Sequence, residues 1–367
     1  MNFTIEREKL LRPLQQVAGV VERRQTLPVL SNVLVVVDGE TLSLTGTDLE
    51  VELMAQVALD HSFDHSEITV PAKKLLDICK SLPDESRIQF VTEEQKLLVK
   101  AGRSRFSLAT LPANEFPNLE ESTGETAFTI NQNYLKSVID RTGFAMAQQD
   151  VRFYLNGMLF EVSTNRLRAV ATDGHRLALC DAEVQVEVDD PVQAIVPRKG
   201  VLEMAKLFMD MDADVSVALS ANHIRVEGTD LRFTSKLIDG KFPDYQRVLP
   251  KSTDKVVLSD KDAMKQCFSR VAILSNEKYR GVRLRLERSS LTTVANNPEQ
   301  EAAEETINVD YDGTELEIGF NVNYLLDVMN VVRSEQVKIQ LSDSNSSALV
   351  TDANDESALY VVMPMRL

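Results

Sequence analysis

The run Thr172-Asp173-Gly174-His175-Arg176 holds the residues best equipped to move a proton. A carboxylate two positions from an imidazole is the minimum of an acid–base pair. No nucleophile motif accompanies it. G-x-S-x-G, H-E-x-x-H and G-x-G-x-x-G are absent, and Gly240-Lys241 is followed by Phe242, not by the Ser or Thr of a phosphate-binding loop. There are four histidines, and no Cys/His cluster has zinc-ligand spacing. Gly174 suits a tight turn between strands, where an unusual backbone angle is needed. The run therefore reads as a turn before it reads as an acid–base pair. No catalytic residue, cofactor or metal is expected.

A second kind of chemistry is suggested by Tyr360-Val361-Val362-Met363-Pro364-Met365-Arg366-Leu367. Terminal segments are usually polar and frayed. Tyr360 to Val362 fit a last strand. Two methionines flanking Pro364 suit an adaptable apolar pocket that accepts peptides.

The elements that must position these residues repeat along the chain. Phe3-Thr4-Ile5, Phe128-Thr129-Ile130 and Val256-Val257-Leu258 each lead from a short strand into an amphipathic helix. A second landmark runs ITVPAKKLLDICKSL from Ile68, AIVPRKGVLEMAKLF from Ala194 and EIGFNVNYLLDVMNV from Glu317. Positions 71, 197 and 321 correspond, and Pro71 and Pro197 suit a strand-to-helix junction. Val51, Leu53, Ala55, Val57 and Leu59 alternate as a half-buried strand should. Asp38-Gly39 and Asp312-Gly313 read as turns between strands. Each unit is β-α-βββ-β-α-βββ, giving an α+β chain of three domains, 1–122, 127–250 and 253–367. Polar linkers fall near 122–126 and 250–255.

Charge is divided between these elements. The net charge of −16 argues against a simple nucleic-acid binder, which would normally be basic overall. Yet the six helical segments and their flanks carry 20 Lys and Arg against 9 Asp and Glu, leaving the remainder strongly acidic. One reading is that solvated helix faces collect basic residues. The sharper one is a basic helical surface facing a polyanion, with the backbone of DNA the natural partner. The sixth helix, with Arg333 and Asp327, adds nothing to it. The charged start MNFTIEREKLLRP is unlike a signal peptide, and no apolar run approaches a membrane span. Cys79, Cys180 and Cys267 are odd in number and far apart, which fits reduced, buried thiols in the cytoplasm.

The three-fold repeat, TLPVLSNVL at 26–34, LTGTDLEVE at 44–52, AGRSRFSLATLPA at 101–113, AMAQQDVRFYLNGMLFE at 145–161, ATDGHRLA at 171–178, FTSKLIDGKFPDYQRVLP at 233–250, AILSNEKYRGVRL at 272–284, ANNPEQEAAEE at 295–305 and the closing VVMPMRL resemble the bacterial DNA polymerase III β subunits. These are the replicative sliding clamps, and the resemblance covers the whole chain. It implies three topologically similar domains, each with two helices packed on antiparallel sheets. It also implies a head-to-tail homodimeric ring around duplex DNA, helices inward. Processivity would then be topological, with no enzymatic step and an external loader to open the ring.

Site residues follow from the same resemblance. Arg24, Gln149, Phe153 and Tyr154 match positions that touch DNA, although a tyrosine is common at 153. Lys73, Arg198 and Lys199 are further basic candidates. Ring closure would set Arg103, Arg105 and Phe106 against Glu299, Glu301, Glu304 and Glu305, with Ile273 and Leu274 as its apolar part. A partner-peptide pocket is implied at Leu155, Thr172, Gly174, His175, Arg176, Leu177, Pro243, Arg247, Val248, Asn321, Tyr324, Ser347, Val361, Met363, Pro364, Met365 and Arg366. Asn345 stands where some relatives are apolar. The implied partners are the clamp loader, the polymerase α subunit, and other polymerases and repair proteins that carry short linear peptides. Competing readings are an enzyme using Asp173 and His175, and a monomeric peptide-binding adaptor. Sedimentation separates the adaptor from a dimeric clamp.

Overall fold

Each helix follows directly on a strand. The first set is α1 (Arg7–Val20), α2 (Ala72–Ser81) and α3 (Gln132–Thr142), followed by α4 (Arg198–Leu207), α5 (Lys261–Val271) and α6 (Val322–Val331). The structure, a computed structural model, describes residues 1–21, 27–117, 119, 126–207 and 212–366. Leu10, Leu14 and Val17 are the buried stripe of α1. Leu135, Val138 and Ile139 serve α3, and Met264, Cys267, Phe268 and Val271 serve α5. These are the i, i+3, i+4, i+7 positions that put one helix face on a sheet. Asp260 caps α5 by accepting from the Ala263 N–H, and Asn321 caps α6 by accepting from that of Asn323.

The chain divides into two compact units, and the second repeat contributes to both. One unit comprises Met1–Gln132 and Leu202–Leu237; the other comprises Asn133–Val201 and Ile238–Leu367. The cause is sheet sharing between repeats. In the first unit, Leu231–Lys236 of the second repeat pairs antiparallel with Val51–Pro71 of the first, with Ser235 opposite Val51. In the second unit, Ala358–Val362 of the third repeat pairs antiparallel with Arg176–Glu183 of the second, with Val361 opposite Leu177. That joins strands of two repeats into one eight-stranded sheet. Each unit also holds a four-stranded sheet. Ser104–Ala109 lies at the edge of the first unit's sheet, and Ala302–Asn308 at the edge of the second unit's.

The second and third repeats follow the predicted element order. The first repeat differs, because Asn32–Thr47 and Val51–Pro71 run on as two long strands. Residues 32–37 pair with 66–71, and residues 41–47 pair with 52–58. Asp38-Gly39, expected as a turn, lies inside the longer pairing. Gly39 has φ +57° there, and the register shifts on both sides of it. It is a bulge that bends a strand and does not end one. Asp312-Gly313 does separate two strands. Cys79, Cys180 and Cys267 are all buried and unpaired.

Candidate functional site

Asp173 is committed to the turn. Its Oδ1 accepts from the N–H groups of His175 (2.9 Å) and Arg176 (3.0 Å), and its Oδ2 from Arg176 Nε (3.1 Å). Thr172 completes the loop: its hydroxyl donates to the Arg176 carbonyl at 2.6 Å and accepts from the Gly174 N–H at 3.1 Å. Gly174 takes φ +89°, and a Cβ built there would meet the Arg152 guanidinium at 3.0 Å. The positive φ is what calls for glycine, since the guanidinium is the far end of a flexible side chain and can yield. A carboxylate that already accepts three hydrogen bonds from its own loop is a turn cap.

Arg176 joins this turn to the third repeat. Its Nη1 pairs with Asp327 on α6, and its Nη2 donates to the Phe144 carbonyl at 2.9 Å. The guanidinium lies 4.5 Å from the Tyr324 ring centroid and 5.4 Å from that of Phe144. His175 stacks on Tyr324, with centroids 6.4 Å apart. A planar fork stacked on an aromatic face is the geometry arginine supplies and lysine does not. The weak charge of α6 noted in the sequence has a use here, since Asp327 is the partner of Arg176.

Beside this turn is an apolar cluster. Leu177, Leu179 and Val361 from the shared sheet pack with Leu159, Val170, Ile195, Phe242 and Tyr245, and Tyr154, Val248, Leu349 and Leu359 close around them. Leu155 is buried nearby on the short turn Phe153–Leu155. Beyond the last strand, Met363 donates its N–H to the His175 carbonyl and Met365 to the Gly319 carbonyl, each at 2.9 Å. Met363, Pro364 and Met365 are half-buried, so the segment forms a rim and does not fray. Arg366 is exposed, as are Pro243 and Arg247, the latter paired with Asp244 at 2.8 Å. Asn321 caps α6 three residues before Tyr324, and Ser347 is half-buried just ahead of the strand Ala348–Asp352.

Sequence reasoning missed Phe242 and Tyr245. Tyr245 donates to Glu161 at 2.9 Å and accepts from Arg168 at 3.3 Å, which ties the Phe242–Val248 segment to the sheet. Two aromatics in an otherwise polar connection, FPDY, were the available signal.

The basic candidates are less gathered. The loop from Asp150 to Asn156 is clasped by reciprocal bonds: the Asn156 side chain accepts from the Asp150 N–H and donates to its carbonyl, both at 2.9 Å. Arg152 pairs with Asp150 at 2.8 Å and holds that carboxyl well below its usual range, to about 2. Gln149 is exposed with φ +55°, and Phe153 is 55% exposed, edge-on to Tyr154. Lys73 is exposed at the start of α2, while Arg198 and Lys199 open α4 and are half-buried. Arg24 lies outside the described residues.

Three family models match in tandem: the N-terminal domain of the DNA polymerase III beta subunit over residues 1–120, its central domain over 129–244 and its C-terminal domain over 246–366. The chain belongs to the DNA polymerase III beta subunit family. It is 63% identical to the beta sliding clamp of Pseudomonas putida and 53% to that of Escherichia coli K12, in each case over all of both chains. The crystal structure of the DNA polymerase III subunit beta from Pseudomonas aeruginosa superposes with a TM-score of 0.98 at 62% identity, again covering both chains completely.

As a beta subunit the chain is a non-catalytic sliding clamp of three clamp domains, and the remaining candidates can be read as parts of one. Arg103 and Arg105 are exposed and Phe106 is half-buried, on or next to the edge strand Ser104–Ala109. Glu304 and Glu305 lie on the edge strand Ala302–Asn308, with exposed Glu299 and Glu301 in the turn before it. Glu305 is held by Arg270 of α5 at 2.5 and 2.8 Å. Ile273 is 74% exposed and Leu274 half-buried on the turn after α5.

Proposed function

We propose that this chain closes with a second copy, head to tail, into a ring that encircles duplex DNA. The ring tethers the replicative polymerase through the groove beside the Thr172–Arg176 turn. The clamp loader, the polymerase α subunit, and other polymerases and repair proteins would enter that groove by short linear peptides. The carrying observation is the closing segment itself. It is fastened at Met363 to the His175 carbonyl and at Met365 to the Gly319 carbonyl, directly after Val361 of the apolar cluster. Such a rim takes one or two apolar anchors from an extended peptide. The domains would be 1–122, 127–250 and 253–367, and the place of action the cytoplasm.

The junction within the second unit supplies a template for ring closure. α3 and α5 have equal lengths, and each is followed by a three-residue turn, which makes Ile273 the counterpart of Phe144. Ser104–Ala109 and Ala358–Val362 are both the last strand of their repeat, which makes Phe106 the counterpart of Tyr360. Phe144 and Tyr360 pack at 6.0 Å. Phe106 of one copy would pack on Ile273 of the partner subunit in the same way. The edge strands would pair, with Arg103 and Arg105 facing Glu299, Glu301, Glu304 and Glu305.

DNA contact would come from Arg24, Lys73, Gln149, Phe153, Tyr154, Arg198 and Lys199. The contact need only be loose, because the link is topological and the attraction to phosphates is screened. Salt should therefore weaken first contact yet hardly change retention on closed circular DNA. Retention on circles that falls with salt as steeply as on linear DNA would sink encirclement. Gln149→Ala should slow loading without loosening rings already loaded.

A further inference from the structure

Arg141, the tenth residue of α3, is only 3% exposed and points into the third repeat. Its Nη2 donates to Asp352 at 2.7 Å, and its Nη1 to Asp355 at 2.9 Å and to the Ser357 hydroxyl at 2.8 Å. Its Nε lies 3.5 Å from the Tyr360 hydroxyl. The other oxygen of Asp352 accepts from the N–H groups of Arg333 (2.7 Å) and Ser334 (2.8 Å), just beyond the end of α6. A buried guanidinium persists only where its donors are matched, and here all four partners lie on the last two strands, Ala348–Asp352 and Ala358–Val362, or in the turn between them.

Side chains alternate across a strand. Tyr360 faces Arg141, while its neighbours Leu359 and Val361 face the apolar cluster of the groove. We infer that Arg141 is a positioning residue for that groove. It holds the strand Ala358–Val362 from the helix side and so sets where Leu359, Val361 and the following Met363 stand on the other. This rests on the groove being a peptide site.

The fold alone does not demand an arginine at this place. The tenth residue of α1 is Gln16, in the unit where Leu231–Lys236 makes the corresponding sheet joint. A cleft of about 560 Å³, lined by Gln16, Arg12, Leu231 and Phe233 among others, lies at that joint. The tenth residue of α5 is Arg270, held by Glu305 on an edge strand. The buried arginine with four side-chain partners accompanies the junction that carries the groove.

The test titrates the full-length dimer with a synthetic peptide of the polymerase α subunit's clamp-binding segment. Arg141→Gln, the residue of the first repeat, should weaken the peptide at least ten-fold while the protein remains a folded dimer. Amide exchange over residues 358–362 should rise with it. Arg141→Lys retains one ion pair and should lose less. Should Arg141→Gln not fold, Asp355→Ala with Ser357→Ala removes both Nη1 partners and leaves the buried pair with Asp352; it should weaken the peptide several-fold. Folded variants with a lower thermal midpoint but unchanged affinity would overturn the inference alone. A wild-type chain that ignores the peptide would overturn the groove reading and this inference together.

Discussion

Met363 donates its backbone N–H to the carbonyl of His175 at 2.9 Å. Two residues on, Met365 does the same to Gly319. The segment is thus fastened once to the second repeat and once to the third, with half-buried side chains between the two fastenings. Thioether side chains are flexible and polarisable, which lets one floor fit several apolar anchors.

Removing residues 363–367 should therefore abolish binding of the polymerase-derived peptide. The dimer should persist, because the candidate seam residues are Ile273, Leu274 and two edge strands elsewhere in sequence. Titration and sedimentation on the same preparation check both halves. Peptide affinity equal to wild type would place the groove elsewhere.

Arg176→Ala should destabilise the chain by roughly 2–3 kcal/mol, since it leaves partly buried Asp173 and Asp327 without their partner. Arg176→Lys should recover only part of that loss, because an ammonium can neither fork between two carboxylates nor stack on Tyr324. Denaturant unfolding of the three proteins measures the order. A lysine variant as stable as wild type would mean that charge alone matters.

The parts legible in the sequence were those with local cause. The helices after residues 6, 131 and 260 were marked by apolar spacing at 3.6, those after 71 and 197 by strand-to-helix prolines, and the one after 321 by its matching place in the repeat. The role of Asp173 was legible too, since Thr-Asp-Gly is turn chemistry wherever it falls. Asp38-Gly39 misled for a related reason. The same backbone angle serves a turn or a bulge, and only the partner strand 66–71 decides which. Phe242 was marked only by the aromatics of FPDY, and Arg141 was invisible because its partners lie far along the chain. Arg141 meets Asp352 across 211 positions, and nothing near either residue marks the other.

The thiols give a pH prediction. Burial pushes Cys79 up to about 12 and Cys180 up to about 11, and it raises Cys267. Unfolded thiols ionise near pH 8.5. The folded state therefore holds protons that the unfolded state releases. The stability from these groups is full below about pH 8.5 and is lost as pH rises toward the folded values. At pH 8 an alkylating reagent should label the native chain slowly and all three positions once it is denatured. Fast labelling of Cys79 in the native state would contradict its burial.

The last prediction concerns the seam. Ile273 is 74% exposed in the single chain, so truncating it should change the fold of one copy by about 0.5 kcal/mol or less. In a closed ring the same side chain would sit where Phe144 sits against Tyr360, largely out of water. Truncating a buried Ile or Leu to Ala costs about 2–5 kcal/mol. Ile273→Ala with Leu274→Ala should therefore weaken the dimer at least about a thousand-fold, at 1.4 kcal/mol for each factor of ten. The chain should remain folded, and its groove, built from other residues, should still take the polymerase peptide. Sedimentation equilibrium at low micromolar protein separates the outcomes. Folded monomers with unchanged peptide affinity would fit closure at Ile273, whereas an intact dimer would put the closing contact somewhere else on the chain.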